Sequence, residues 1–175
     1  MKIAIIRGPS LNKWEMQNFA ISHQLLAIGS RLGAYDTSEI KLPIKKLWCL
    51  GELMSYVPGG INFLYKNFGD TQYLFGLEQA MSGFDIVHTA ETGNFYSLQA
   101  VRAKVKGIVK KVIVTVWETM PLLGDENPKR KEIKRAVIKN TDLFLAVTNS
   151  AREALIKEGV DPRKIRVIPM GVDLE

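Results

Sequence analysis

Two short segments of this sequence hold residue types that can do chemistry together. One is His88 with Glu91 three residues later; the other is Trp117-Glu118-Thr119. An imidazole near a carboxylate can carry a proton or orient a hydroxyl. An indole offers a face on which a ring can stack, and Glu118 can accept from hydroxyls. Each has a bland alternative. His88 could be satisfied by a neighbouring backbone carbonyl, and Trp117 could simply close the core. The other histidine, His23, falls in an expected helix, where a partnered or exposed imidazole is the ordinary case.

The elements that must position these residues alternate along the chain. Lys2 to Arg7 (KIAIIR) is an apolar run stopped by Gly8-Pro9, a buried strand and its turn. Trp14, Ile21, Leu25, Ile28 and Leu32 recur at helical spacing, which predicts a helix capped at Gly33. Asp36 to Leu50 holds at most one weak strand. Leu53 to Phe75 predicts a helix or two around the Pro58-Gly59-Gly60 loop. Strands follow at Phe84 to His88, Lys111 to Val116, Leu143 to Val147 and Lys164 to Ile168. Helices lie between them: Asn94 to Lys106, Asn127 to about Lys139, and one opened by Ser150 and Glu153 as a capping box and ending at Gly159. Apolar strands separated by helices predict an α/β fold, a Rossmann-like doubly wound parallel sheet with helices on both faces. In such sheets ligands sit beyond the carboxyl ends of the strands. That directs attention to Gly8–Lys13, His88–Asn94, Trp117–Gly124 and Thr148–Ser150.

Composition narrows the classes. The 175 residues suit one domain, and 46% hydrophobic with 24% charged residues excludes a disordered chain. Cys49 stands alone, so an internal disulfide and a cysteine-rich zinc site are excluded. With two histidines besides, the common zinc spacings cannot be built, and no metal site is expected. The first strand-to-helix loop is not Gly-x-Gly-x-x-Gly, and neither a P-loop nor a Gly-x-Ser-x-Gly elbow occurs. The apolar run Ile3 to Ile6 is shorter than a signal-peptide core, so the cytoplasm is the expected compartment.

The net charge of +6 is concentrated. Between Arg102 and Lys139 eleven bases meet four acids. Such a stripe can face an anionic membrane, nucleic acid or an anionic substrate, or be a solvated helix face. On the helix from Asn127, Ile133, Ala136 and Val137 form one apolar stripe, so Lys129, Arg130, Lys131, Lys134, Arg135 and Lys139 are expected in solvent. This helix is the candidate for peripheral contact with an anionic membrane. Aromatics are not interleaved with the bases, and no specific nucleic-acid partner is expected.

Four segments in order carry a family resemblance. They are Asp85-Ile86-Val87-His88 with Glu91; Val112 to Pro121 (VIVTVWETMP); Val147-Thr148-Asn149-Ser150; and Glu158-Gly159-Val160 leading to Lys164 to Asp173 (KIRVIPMGVD). The sharpest is the closing Ile-Pro-x-Gly-Val-Asp. Over nearly its whole length the chain resembles the N-terminal domain of a group 1 family retaining glycosyltransferase of GT-B architecture. Three positions depart from many relatives: a single glycine followed by Pro9 in the first loop, Ala90 two residues after His88, and Trp117 where a histidine is common.

The resemblance implies an acceptor-side domain spanning 1–175, facing a C-terminal donor domain that this chain lacks. It implies transfer of a sugar from a nucleotide-diphosphate sugar to a sugar or lipid-linked acceptor, with retention and no other cofactor. The fragment would be inactive alone. His88 and Glu118 are the implied catalytic residues. Glu91, Thr92, Trp117 and Thr119 are implied contacts to acceptor or sugar, and Gly8, Pro9, Ser10 and Asn12 form the loop facing the donor phosphates. A binding module for nucleic acid or anionic lipid, or half of a GT-B sugar-nucleotide epimerase, stays open beside it.

Overall fold

The apolar runs do become strands. A computed structural model of the chain describes residues 1–19 and 24–169. Its strands are β1 (Lys2–Gly8), β2 (Gln24–Ser30), β3 (Ile44–Leu47), β4 (Ile86–Ala90), β5 (Lys111–Val116), β6 (Leu143–Ala146) and β7 (Ile165–Val167). They form one seven-stranded sheet in the order β3-β2-β1-β4-β5-β6-β7. Every pairing is parallel. The helices are α1 (Lys13–Met16), α2 (Leu50–Met54), α3 (Gly60–Phe68), α4 (Leu77–Met81), α5 (Phe95–Val105), α6 (Pro128–Asn140) and α7 (Asn149–Lys157).

Alternation along β1 divides the core between the two faces of the sheet. Ala4 and Ile6 join the larger cluster with Val87, Tyr96, Val101, Val114 and Ile133. Ile5 turns the other way and meets Ala27, Leu11 and Met16. Both faces are thus covered, which is the condition for an all-parallel sheet.

Several local signals act as written. Asn127 caps α6, its side chain accepting from Lys129 N–H at 2.9 Å and Arg130 N–H at 3.3 Å, while Asn94 takes the N-cap position of α5 without a side-chain capping bond. The apolar stripe of α6 is buried, with Ile133 at 3% and Val137 at 0% exposure.

Other expectations are overturned. The helix expected from Trp14 to Leu32 is only α1 with a short 3-10 turn through Phe19; Ile21 and His23 lie outside the described residues. Gln24–Ser30 is instead β2, in register with β1 from Lys2 opposite Gln24 to Ile6 opposite Ile28. Leu25 and Ile28 sit at helical spacing, but Leu26 and Ala27 between them are apolar as well. A run apolar at consecutive positions suits a strand packed on both faces better than a one-sided helix. The cap of α7 is Thr148 rather than Ser150: its hydroxyl accepts from Ala151 N–H at 3.0 Å. Helix α4 has no counterpart in the sequence reading.

The basic helix is corrected too. Lys134 is 5% exposed and pairs with Glu158 and with Asp125, the latter at 3.3 Å. Arg130 donates to the carbonyls of Gly69 and Gly93 and lies 3.8 Å from Asp70. Lys131 pairs with Asp125 and Lys129 with Glu132. Of the six bases expected in solvent, Lys134 and Arg130 are built into the fold instead. Among the described residues, no helix is long and apolar enough to cross a membrane.

Candidate functional site

A cavity of about 350 Å³ opens where the carboxyl ends of β1, β4 and β5 meet. Arg7 forms its floor. This guanidinium is 1% exposed; its Nε donates to Glu15 Oε1 at 2.7 Å, with a further ion pair to the same oxygen at 2.5 Å. Its remaining donors reach the carbonyls of Ile6 at 2.9 Å and His88 at 3.3 Å. One buried cation therefore pins α1 to β1 and β4. Glu15 is delivered by the short α1, whose cap Asn12 accepts from Glu15 N–H at 2.9 Å.

The opposite wall comes from the β4 and β5 loops. Glu91 follows β4 in the left-handed region, at φ 59, a conformation that a non-glycine residue rarely adopts. The surrounding bonds hold it there. Its N–H donates to Thr115 O at 2.8 Å, and its carboxylate accepts from the N–H groups of Trp117 at 2.7 Å and Glu118 at 3.2 Å. Burial pushes the Glu91 carboxyl up to about 7, against the lowering effect of those N–H donors. Trp117 lies with its ring 5.8 Å from the Arg7 guanidinium carbon. Asn94 and Tyr96 close the side, with the Asn94 amide donating to the Tyr96 hydroxyl at 2.7 Å and to Ala90 O at 3.2 Å. Trp14 and Tyr35 meet edge to face at 6.1 Å across the mouth.

Of the residues singled out in the sequence, the structure brings Ser10, Asn12, Glu91 and Trp117 into this cavity. The others do not line it. β4 runs on to Ala90, so His88 lies inside the strand rather than at its end. Its Nε2 sits 2.6 Å from Thr115 Oγ1, and its ring meets Phe19 edge to face at 5.6 Å. Burial, and next the nearby Arg7 charge, hold the imidazole well below the ordinary histidine range, which makes it neutral. Glu118 reaches the site through its N–H, while its carboxylate accepts from Met120 N–H at 2.8 Å and so caps its own loop. Thr92 is buried and Thr119 exposed. Gly8, at φ 52, turns the chain out of β1, and a side chain there would press on the Tyr96 ring at 3.1 Å. Pro9 faces a second cavity on the other side of this loop.

Sequence reasoning missed Arg7, Trp14, Glu15, Tyr35, Asn94 and Tyr96. A signal existed for the first pair: an arginine closing an otherwise apolar strand must find a carboxylate if it is buried. Asn94 and Tyr96 were legible only as the opening of a helix.

The chemical character of the cavity follows. Its one cation is already neutralised by Glu15, so it is not built to hold a phosphate. It offers a part-buried carboxylate, carboxamides, hydroxyls and indole rings, a set suited to an uncharged polyhydroxyl ring.

A doubly wound parallel sheet with its cavity at the carboxyl ends of β1, β4 and β5 is a Rossmann-like α/β fold. A profile of Glycosyltransferase Family 4 matches residues 50–175, and the chain belongs to that family. The fold is similar to that of Alr3699/HepE from Anabaena, solved in complex with UDP-glucose. There the TM-score is 0.66 at 14% identity, covering 99% of this chain and 44% of that one. It is also similar to UDP-GlcNAc 2-epimerase from Methanocaldococcus jannaschii, with a TM-score of 0.51 at 17% identity, covering 95% and 45%. The chain thus spans less than half the length of these solved proteins. No curated protein matches it.

Proposed function

We propose that this chain is the acceptor-side domain of a glycosyltransferase that moves a sugar from a nucleotide-diphosphate sugar to an acceptor hydroxyl. The observation that carries the reading is the cavity between Arg7–Glu15 and Glu91–Trp117, with its neutralised cation and its aromatic walls. Family membership and the UDP-glucose complex of the similarly folded Anabaena protein support the donor class. A partner domain would hold the nucleotide.

In this reading Trp117 and Trp14 stack on the acceptor ring, and Ser10, Asn12 and Asn94 hold its hydroxyls. Glu91 accepts from the acceptor hydroxyl with the carboxylate oxygen not engaged by Trp117 and Glu118 N–H. Positioning belongs to two residues outside the cavity. His88 packs beneath it and accepts the Arg7 guanidinium through its carbonyl; Glu118 folds the loop that presents Trp117. In the same reading the Gly8-Pro9-Ser10 loop would face the donor phosphates.

The test is a transfer assay on the full-length enzyme with a panel of nucleotide sugars and acceptors. Trp117→Ala and Glu91→Gln should raise the acceptor KM or lower kcat while leaving the KM for donor nearly unchanged. Conversion of a nucleotide sugar to its epimer without any acceptor, unaffected by Trp117→Ala, would overturn the reading in favour of an epimerase.

A further inference from the structure

The loop that brings Glu91 and Asn94 to the cavity is held from behind by residues that do not line it. Glu91 sits at φ 59, and a residue so placed stays there only where its surroundings over-determine it. The bonds to Thr115, Trp117 and Glu118 fix the loop at its start. Its end is fixed by partners distant in sequence. Asn94 stands at the N-cap of α5, but its amide reaches Ala90 O and the Tyr96 hydroxyl instead of capping. The first turn of α5 still needs acceptors for its N–H groups. Asp70, just past α3 and 6% exposed, supplies one: its Oδ2 accepts from Phe95 N–H at 2.7 Å and from Gln72 N–H at 3.1 Å.

Asp70 Oδ1 faces Arg130, on the first turn of α6, with Nη1 at 3.8 Å. The same Nη1 donates to Gly93 O at 3.4 Å and Gly69 O at 3.5 Å. Gly93 O and Phe95 N–H belong to the two peptide groups that flank Asn94, so the pair takes hold of the loop on both sides of that residue. Glycines let the loops close on this arginine. A Cβ on Gly93 would lie 2.8 Å from Arg130 Cζ, one on Gly124 2.5 Å from its Cδ, and one on Gly69 2.3 Å from its backbone nitrogen. Segments following α3, β4 and β5 thus converge on one side chain.

We propose that Asp70 and Arg130 are positioning residues: they clamp the loop at the peptides flanking Asn94 and so keep Glu91 in its left-handed conformation, with its carboxylate at the cavity. Their use in catalysis rests on the sugar-transfer reading; the clamp itself does not. Two measurements on the full-length enzyme separate the two. Hydrogen exchange followed by mass spectrometry reads the clamp. Arg130→Met removes the donors and leaves an apolar stem, and residues 91–96 should exchange at least about tenfold faster while β1 stays as it was. Gly93→Ala keeps both charged side chains but sets a methyl against the guanidinium. Only the far end of a flexible side chain must give way, so the fold is kept and the same local loosening is expected. Transfer kinetics per folded enzyme read the role. Arg130→Met should lower kcat at least about tenfold with the KM for donor unchanged. On a Glu91→Gln background the same substitution should cost no more than about threefold, because the carboxylate it positions is already gone. Unchanged exchange of 91–96 in both variants, or faster exchange throughout the molecule, would overturn the clamp. Losses that multiply in the double variant would overturn its action through Glu91. Full transfer activity in Glu91→Gln alone, with 91–96 loosened in Arg130→Met, would sink the reading of the cavity and uphold the clamp.

Discussion

Arg7–Glu15 and Lys134–Glu158 are both buried cation–carboxylate pairs, with side-chain exposures of 2% and 10% in the first and 7% and 6% in the second. They do different things because of what surrounds them. Lys134 sits under the loop after β5. It pairs with Asp125, donates to Leu123 O at 3.4 Å, and shares Glu158 with Leu122 N–H at 2.9 Å. It is a strut that ties the loop to α6 and α7. Arg7 faces the cavity at the carboxyl edge of the sheet, and its donors are spent on Glu15 and on the carbonyls of Ile6 and His88. Burying a charge requires a partner in either place. At Arg7 satisfying the charge also shapes the larger cavity, about 350 Å³ at the carboxyl edge of the sheet, against about 210 Å³ beside Lys134 and Glu158.

The first way to break this comparison is to remove Arg7. Arg7→Met leaves Glu15 buried without its partner, which should cost about 3–5 kcal/mol in urea unfolding. Replacing both members, Arg7→Met with Glu15→Leu, should recover much of that stability and still abolish acceptor binding. A double variant that binds acceptor normally would make Arg7–Glu15 a strut like Lys134.

The second prediction concerns Glu91, whose carboxyl rises from 4.5 to about 7 on folding. A raised acid binds its proton more tightly in the folded state. Its protonation therefore favours the fold at low pH, and that contribution is lost as pH rises from 4.5 through 7. Because the residue is only partly buried, the loss expected between about pH 5 and about pH 8 is about 1–3 kcal/mol. Glu91→Gln should flatten this part of the stability profile. An unchanged slope in the variant would show that Glu91 titrates as an ordinary surface carboxylate.

The smallest effect is expected at the strut. Lys134→Met with Glu158→Leu removes both charges, and Asp125 keeps Lys131 at 3.3 Å. Unfolding should change by no more than about 1 kcal/mol, with sugar transfer intact. A large loss of activity would mean that the strut sets the position of Trp117 through the loop it anchors.

Elements whose signals are local were legible in the sequence. Lys111–Val116 is a strand from its β-branched run, and α6 starts at Pro128 because Asn127 supplies the cap. The parallel class of the sheet follows from strands without polar alternation. Glu91 and Trp117 were legible as neighbours at the carboxyl edge of the sheet, where both line the cavity, because strand-end loops share one edge in such a sheet. Tertiary contacts decided the rest. Gln24–Ser30 is a strand because β1 and β3 lie on either side to take its backbone hydrogen bonds. Periodicity alone allowed a helix there. His88 became a buried neutral group because β4 ran two residues further, to Ala90, and carried it beneath the cavity. Arg130 and Lys134 left the solvent because Asp70, Asp125 and Glu158 arrived from distant parts of the chain. Caps and strand runs act over a few residues through the backbone. A buried charge takes its meaning from the partner that folding brings to it, and the Arg7–Glu15 floor of the cavity could be placed only once the strands had been packed side by side.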